Sequence, residues 1–290
     1  MLKLRPFWPS KSGFADDWEA TGFGLKRTSQ QTSRPTTKSS TPGKPRFWVK
    51  YGKSSIIRGE GRTQAHVARI VKANPVSVVR VPKVYLVFSR GKRGYIVMDF
   101  VQGITLAQRK LTTGCYDDND VRAVAAAVQQ LTNIKMPAGT APGPVRGGHI
   151  GHDFFVDCLS TLKYFTVGDL EAQINEVLRL SGNNLRVDFT ADSLVLCPSD
   201  PNDSNFIIDD EGSLWAIDFG RTCFLPTSFV FYSLTRSSDV FVQSVARLVN
   251  YPQSANLRAM SAASGQLVIF NNNALGGSIM SSNGQISSEV

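Results

Sequence analysis

Leu196-Cys-Pro-Ser-Asp-Pro-Asn-Asp-Ser-Asn-Phe-Ile-Ile-Asp-Asp-Glu-Gly-Ser-Leu-Trp-Ala-Ile-Asp-Phe-Gly220 sets carboxylates and amides around two short apolar runs. Phe206-Ile-Ile and Leu214-Trp-Ala-Ile are separated by Asp209-Asp-Glu-Gly212, a polar connection ending in glycine, and this pattern predicts a β-hairpin. Asp200 precedes the first run, Asn205 stands at its edge, and Asp218 follows the second. Closing the hairpin brings the loop before it beside the loop after it, so three oxygen-bearing side chains converge. Phosphoryl transfer requires such a set: a carboxylate to orient or deprotonate a hydroxyl nucleophile, with an amide and a second carboxylate to hold Mg²⁺ on nucleotide phosphates. The competing reading of Asp200 and Asn205 is a turn around Pro201, held by their side-chain hydrogen bonds.

Upstream of this stretch the chain reads as strand, helix, strand, strand. Phe47-Trp-Val-Lys-Tyr is β-rich, and a helical pattern follows Gly59 and ends before Asn74-Pro75. Two strands are expected at Lys83-Val-Tyr-Leu-Val-Phe and Tyr95-Ile-Val-Met-Asp-Phe, around a turn with Gly91 and Gly94. Past Gly103 the pattern becomes helical. Val121, Val124, Ala125, Val128 and Leu131 fall on one face behind Asp117–Asp120, and Thr166 with Asp169 forms a capping box. A further helix is expected over Val240 to Val249. The order of elements gives an α+β class.

The ends differ in composition from the middle. From Thr28 to Pro45 there is no aromatic or aliphatic residue to bury, so residues 1–46 are expected to be a disordered basic tail. Asn271 to Val290 is Asn/Gly/Ser-rich and is expected to be a loose tail. The net charge of +9 is uneven: residues 1–46 hold nine Lys/Arg against three acids, leaving 23 against 20 in residues 47–290. The folded part therefore lacks the overall basic excess that points to nucleic acid, and the tail fits solvation or weak anion binding. Cys115, Cys158, Cys197 and Cys223 form no Cys-x-x-Cys pair, which favours a reducing compartment. No apolar run approaches the roughly 18 residues of a membrane span, and the cytosol is the expected location, with no membrane partner.

Asp200-x-x-x-x-Asn205, a short hairpin and then Asp218-Phe-Gly220 resemble the catalytic core of the protein-kinase-like superfamily. Ile217-Asp-Phe-Gly220 behind Asp209-Asp-Glu-Gly212 is most similar to its aminoglycoside phosphotransferase branch, especially divergent fungal members. Tyr95-Ile-Val-Met-Asp-Phe-Val-Gln-Gly103 resembles the hinge segment of that branch, and Arg80-Val-Pro-Lys-Val-Tyr85 the strand before it. The likeness runs from about Phe47 to Val249. It implies a two-lobed protein-kinase-like fold, with a small mixed-sheet N-lobe and hinge over 47–103 and a mainly helical C-lobe over 104–270.

The resemblance implies an ATP/Mg²⁺-dependent phosphotransferase acting on a hydroxyl of a small molecule. Asp200 would be the catalytic base, Asn205 and Asp218 the metal ligands, and Lys50 the phosphate-binding lysine held by Glu60. The backbone around Asp99–Val101 would read adenine. The alternative for Lys50 is a solvated strand lysine, and for Glu60 an acid favoured by a helix N-terminus. Two departures stand out. Pro198-Ser-Asp200 replaces His-x-Asp, and no glycine-rich hairpin directly precedes Lys50, Gly22-Phe-Gly24 being short and distant. A catalytically inactive kinase-like binding or regulatory module is therefore the other class of function. Arg221, Phe224 and the loop from Pro142 to Phe155 are expected near the substrate.

Other apparent motifs carry less. Gly52-Lys53-Ser54 lacks the earlier glycine of a phosphate-binding loop and is expected to be a turn. His149 and His152 have no third metal ligand and are expected in a loop, and Met98 is expected in the core.

Overall fold

A computed structural model describes residues 18–20, 25–27, 47–136 and 140–277. Among these, twelve strands and seven α-helices form a mixed α+β structure with several small antiparallel sheets. Two three-residue strands, β1 (Trp18–Ala20) and β2 (Leu25–Arg27), lie within the expected tail and pair antiparallel with each other. β3 (Phe47–Lys53) runs directly into α1 (Ser54–Ala73), and β4 (Val84–Arg90) and β5 (Arg93–Asp99) complete an antiparallel sheet of order β3-β5-β4.

The helix expected after Gly59 therefore starts at Ser54, and Gly52-Lys53-Ser54 is a strand-to-helix junction instead of a turn. Gly59, which reads as the boundary, is a packing position inside the helix, where a side chain would lie 3.0 Å from Pro144 Cγ. A side chain on Gly61 would lie 2.6 Å from Val87 Cγ2, so glycine lets α1 approach the sheet closely. Ile57, Ile96 and Met98 form a small core beneath that sheet. Farther along α1, Val67 and Val71 enter the main core, so one helix joins both apolar clusters.

The remainder begins with β6 (Gly103–Thr105), α2 (Leu106–Thr113) and α3 (Asp118–Thr132). Asp117 caps α3, its carboxylate accepting from Asn119 N, and Asp118 and Asp120 occupy a first turn that favours negative charge. β7 (His149–Gly151) pairs with β8 (Leu159–Lys163), and α4 (Val167–Leu180) opens with the expected Thr166/Asp169 capping box. β9 (Leu194–Pro198) pairs with β12 (Thr222–Pro226). Between these two lies the hairpin of β10 (Phe206–Asp209) and β11 (Leu214–Ala216), with β6 on the outer side of β10. α5 (Thr227–Arg236), α6 (Val240–Ala246) and α7 (Leu257–Phe270) follow, the last packing on α4.

Four other expectations change. His149 lies in β7 instead of a loop, and His152 is fully buried, its Nε2 donating to Phe229 O (3.2 Å) and lying 2.8 Å from Ser233 Oγ. The helix expected to Val249 ends at Ala246. Residues 271–277 are tied down: Asn273 Nδ2 donates to Val156 O (2.9 Å) and Leu159 O (2.8 Å), and Gln173 Nε2 donates to the Asn273 and Leu275 carbonyls, each at 2.9 Å. Amide side chains supply there the partners that polar composition appeared to leave to water. Phe224 is 1% exposed and belongs to the core, not to a substrate surface. Met98 is buried as expected, and the four cysteines are free. Among the described residues no helix is long and apolar enough to cross a membrane.

Candidate functional site

Lys50 pairs with Ile96 in the β3–β5 ladder, and both point to the α1 side of the sheet. Glu60 reaches the same place from the second turn of α1, too far along the helix for the N-terminal dipole to explain it. Asp218 arrives from the loop after β11. Lys50 Nζ donates to Glu60 Oε1 at 2.7 Å and to Asp218 Oδ1 at 2.8 Å. Asp218 holds the left-handed backbone conformation (φ 57°), which aspartate tolerates better than most residues and which occurs often at functional sites. Gly220 N donates to Asp218 Oδ1 at 3.1 Å, and a side chain at Gly220 would crowd that oxygen, also at 3.1 Å.

The charges of this cluster settle one another. Burial disfavours the Lys50 ammonium, but Glu60 and Asp218 more than reverse that, holding its pKa above the usual lysine range. Burial likewise opposes the Asp218 charge, and Lys50 with its hydrogen bond brings that carboxyl below the usual range. For Glu60 burial dominates and raises the pKa, although Lys50 pulls the other way. Lys50 is the cation shared between two carboxylates.

The loop after β9 is stitched to the segment after the hairpin. Ser199 donates to Arg221 O through Oγ (2.7 Å) and through its backbone N–H (3.2 Å). Asn205 Nδ2 donates to Asp200 O at 2.8 Å, while Asn205 O accepts from Ile217 N at 2.9 Å. That last bond sets Asn205 beside the residue preceding Asp218. Both Asp200 oxygens have partners: Asn202 Nδ2 reaches Oδ1 at 2.6 Å, and Arg221 Nη1 stands 3.4 Å from Oδ2. The hairpin between the two loops is locked at its tip. Asp209 accepts from Ser213 N (2.7 Å), Glu211 N (2.9 Å) and Trp215 Nε1 (2.7 Å). Burial opposes the Asp209 charge, and these donors hold the carboxyl below its usual range.

A cleft of about 540 Å³ opens on Asp200, lined also by Asp153, Asp203, Tyr232, Arg236 and Asp239. Burial works against the Asp153 charge, but His152 and the Ser233 hydroxyl, which donates to it at 2.8 Å, lower its pKa. Arg221 lines this cleft, as does Asp153 from the loop expected there.

The structure thus brings Lys50, Glu60 and Asp218 together and links Asp200 to Asn205. Asp99 and Val101 lie apart from those contacts, at the end of β5 and just beyond it. The Asp99 amide donates to Lys83 O (3.0 Å), and its carboxylate accepts from Lys83 N (2.9 Å) and Tyr85 OH (2.7 Å). This leaves the Val101 backbone as the better candidate for edge recognition of a base. Sequence reasoning missed Asn202, Ser199, Tyr232, Arg236 and Asp239, and reached Asp153 only as part of its loop. Asn202 alone carried a signal, as an amide two residues from Asp200.

The donors also fit Mg²⁺. The Asn205 amide nitrogen is committed to Asp200 O, which leaves its carbonyl oxygen to ligate, and Asp218 keeps Oδ2 beyond the lysine contact. Among the described residues no three His, Cys, Asp or Glu cluster into a cage of their own. Mg²⁺ needs none, because one or two protein oxygens with phosphates and water suffice. No protein-family model matches the chain, and no curated protein matches it.

Proposed function

We propose that the protein is an ATP- and Mg²⁺-dependent phosphotransferase of protein-kinase-like, two-lobed architecture, acting on a hydroxyl group of a small molecule. The observation that carries this reading is the Lys50 ammonium held between Glu60 and Asp218, residues 10 and 168 positions away. A solvated strand lysine would need neither partner. The order β3, α1, β4, β5, then helices, then the hairpin ending at Asp218, supports the architecture. So does the β1–β2 pairing, whose connecting sequence contains Gly22 and Gly24 and precedes Lys50.

Each side chain then has a task. Bound Mg²⁺-ATP supplies the phosphoryl group and neutralises its charge. Lys50 binds phosphate oxygen, and Glu60 fixes the lysine from the buried face of α1. Asn205 and Asp218 hold the metal, and the Val101 backbone meets the adenine edge. Asp200 orients the acceptor hydroxyl and takes its proton, with its own two oxygens aligned by Asn202 and Arg221. Ser199 takes over the loop-ordering work of the histidine that Pro198 replaces, by clamping Arg221 O. The cleft beside Asp200 is within the size range of small-molecule sites, which supports a small acceptor.

A second reading, a kinase-like module without catalysis, draws on the direct Lys50–Asp218 contact, which satisfies a metal ligand from within the chain. Turnover separates the two. Mg²⁺-dependent ATP hydrolysis, measured on the parent and on Asp200→Asn, should fall by on the order of 10²–10⁴ in the variant, the usual contribution of a positioned base. Equal rates would remove Asp200 from the chemistry.

A further inference from the structure

The face of the β3-β5-β4 sheet turned away from α1 is ordered in rows. Lys50, Ile96 and Val87 point to α1, so the alternate residues of all three strands point outward. The registers give an aliphatic row of Val49, Val97 and Leu86, then an aromatic row of Tyr51, Tyr95 and Phe88, then a cationic row of Lys53, Arg93 and Arg90. Leu86 is 59% exposed, Tyr51 42% and Phe88 37%. Phe88 and Tyr95 stack with ring centroids 4.9 Å apart, and the Arg93 guanidinium lies 5.8 Å from the Tyr51 ring centre. Exposed Tyr51 and Phe88 flank the half-buried Tyr95 in one contiguous aromatic row, the kind of surface on which a partner can pack.

Charge narrows the partner. To the cations of the third row the β4–β5 turn adds Lys92, and the three strands hold one acid, Asp99. That acid is already engaged by Lys83 N and Tyr85 OH. The modest balance of residues 47–290, 23 cations against 20 acids, thus conceals a locally basic face. Neighbouring rows on one face are about 7 Å apart along the strands, the scale on which a nucleotide separates its base from its phosphate. Aromatic rings meet unpaired bases, and a cationic row follows the phosphates. We infer that this outer sheet face binds single-stranded nucleic acid, with the aromatic row stacking on bases and the row of Lys53, Arg93 and Arg90 tracking the backbone. A duplex keeps its base faces to itself and would use only the cations. The inference is independent of the phosphotransferase reading, since Lys50 and Glu60 lie on the opposite face.

Fluorescence anisotropy of the full chain with a labelled oligouridylate of about 12 nucleotides, compared with a duplex of equal length, tests it. Binding should favour the single strand and weaken with salt. Phe88→Ala should weaken it on the order of tenfold by loss of stacking, and Arg93→Glu should also lower the salt slope by about one or more. Melting temperatures of the variants should stay near the parent's, and Arg90→Glu, at an exposed strand end, provides the same test if Phe88→Ala is destabilised. Absence of binding at low salt would overturn the proposal. So would binding that these substitutions leave unchanged, since the basic residues before Phe47 would then be holding the oligonucleotide. Tighter binding of a polyglutamate peptide, or self-association abolished by the same substitutions without oligonucleotide binding, would assign the face to a protein instead.

Discussion

Lys50, Glu60 and Asp218 come from a strand, a helix and a loop as far as 168 residues apart, whereas Asp200, Asn202 and Asn205 lie within one short loop. The first group runs from the buried Glu60, whose side chain is 2% exposed, through Lys50 to an Asp218 that is 48% exposed, and the second is a half-open polar turn, with Asp200 at 32%. Buried charges depend on one another, so removal of one partner strands the rest. Exposed pairs contribute little to stability and leave their groups free for chemistry. Burial of Glu60 therefore gives the lysine cluster the structural consequence, and under the proposed function the Asp200 loop carries the proton transfer.

The largest expected stability effect comes from breaking the cluster. Lys50→Met leaves the buried Glu60 carboxylate without its cation and should cost about 3 kcal/mol in urea denaturation, the half-exposed Asp218 adding little. Glu60→Gln in the same background should recover part of that loss, a coupling that additive costs would exclude. A loss below about 0.5 kcal/mol, the scale of ordinary surface changes, would show that buried Glu60 does not depend on Lys50.

A smaller effect belongs to the hairpin that joins the two groups. Asp209→Ala removes the acceptor of three N–H donors and should cost about 1 kcal/mol at neutral pH. The Asp209 pKa is depressed in the folded protein, so its stabilisation is fully present above the unfolded value near 3.9 and is lost as pH falls through the lower folded value. The gap in melting temperature between parent and Asp209→Ala should be constant from neutral pH to about 5 and close below about 4. A gap that persists at low pH would mean that the charge is not what holds the tip.

Arg221→Ala should change stability least, within about 0.5 kcal/mol, because it removes a 3.4 Å pair about one third exposed on both sides. Its consequence belongs in turnover, through a less well aligned Asp200. A large fall in melting temperature without loss of turnover would invert the contrast between the two groups.

Legibility followed the same division. The hairpin, α3 and the α4 capping box were readable because turn chemistry, periodicity and caps agree locally. Lys50, Glu60 and Asp218 were readable through their resemblance to a known pattern, since nothing local joins a strand lysine to an acid 168 residues away. The start of α1 lies upstream of the expected one because Gly59 reads as a boundary, when it sits inside the helix in close contact with Pro144. β6 and β7 are three residues each, too short for a period, and β9 is a continuous apolar run that strand and buried helix share. Asp153, Tyr232 and Asp239 meet Asp200 only through tertiary packing. Asn273 reads as tail composition until Gln173 and the Val156 backbone supply its partners.

Calorimetric titration of ATP, with and without Mg²⁺, into the parent, Asp200→Asn and Asp218→Asn tests the central claim most directly. The account predicts metal-dependent binding by the parent, nearly equal binding by Asp200→Asn, and binding by Asp218→Asn that is weak and no longer strengthened by Mg²⁺. A parent that binds ATP no better with Mg²⁺ than without, or an Asp218→Asn protein that keeps the full metal effect, would contradict it.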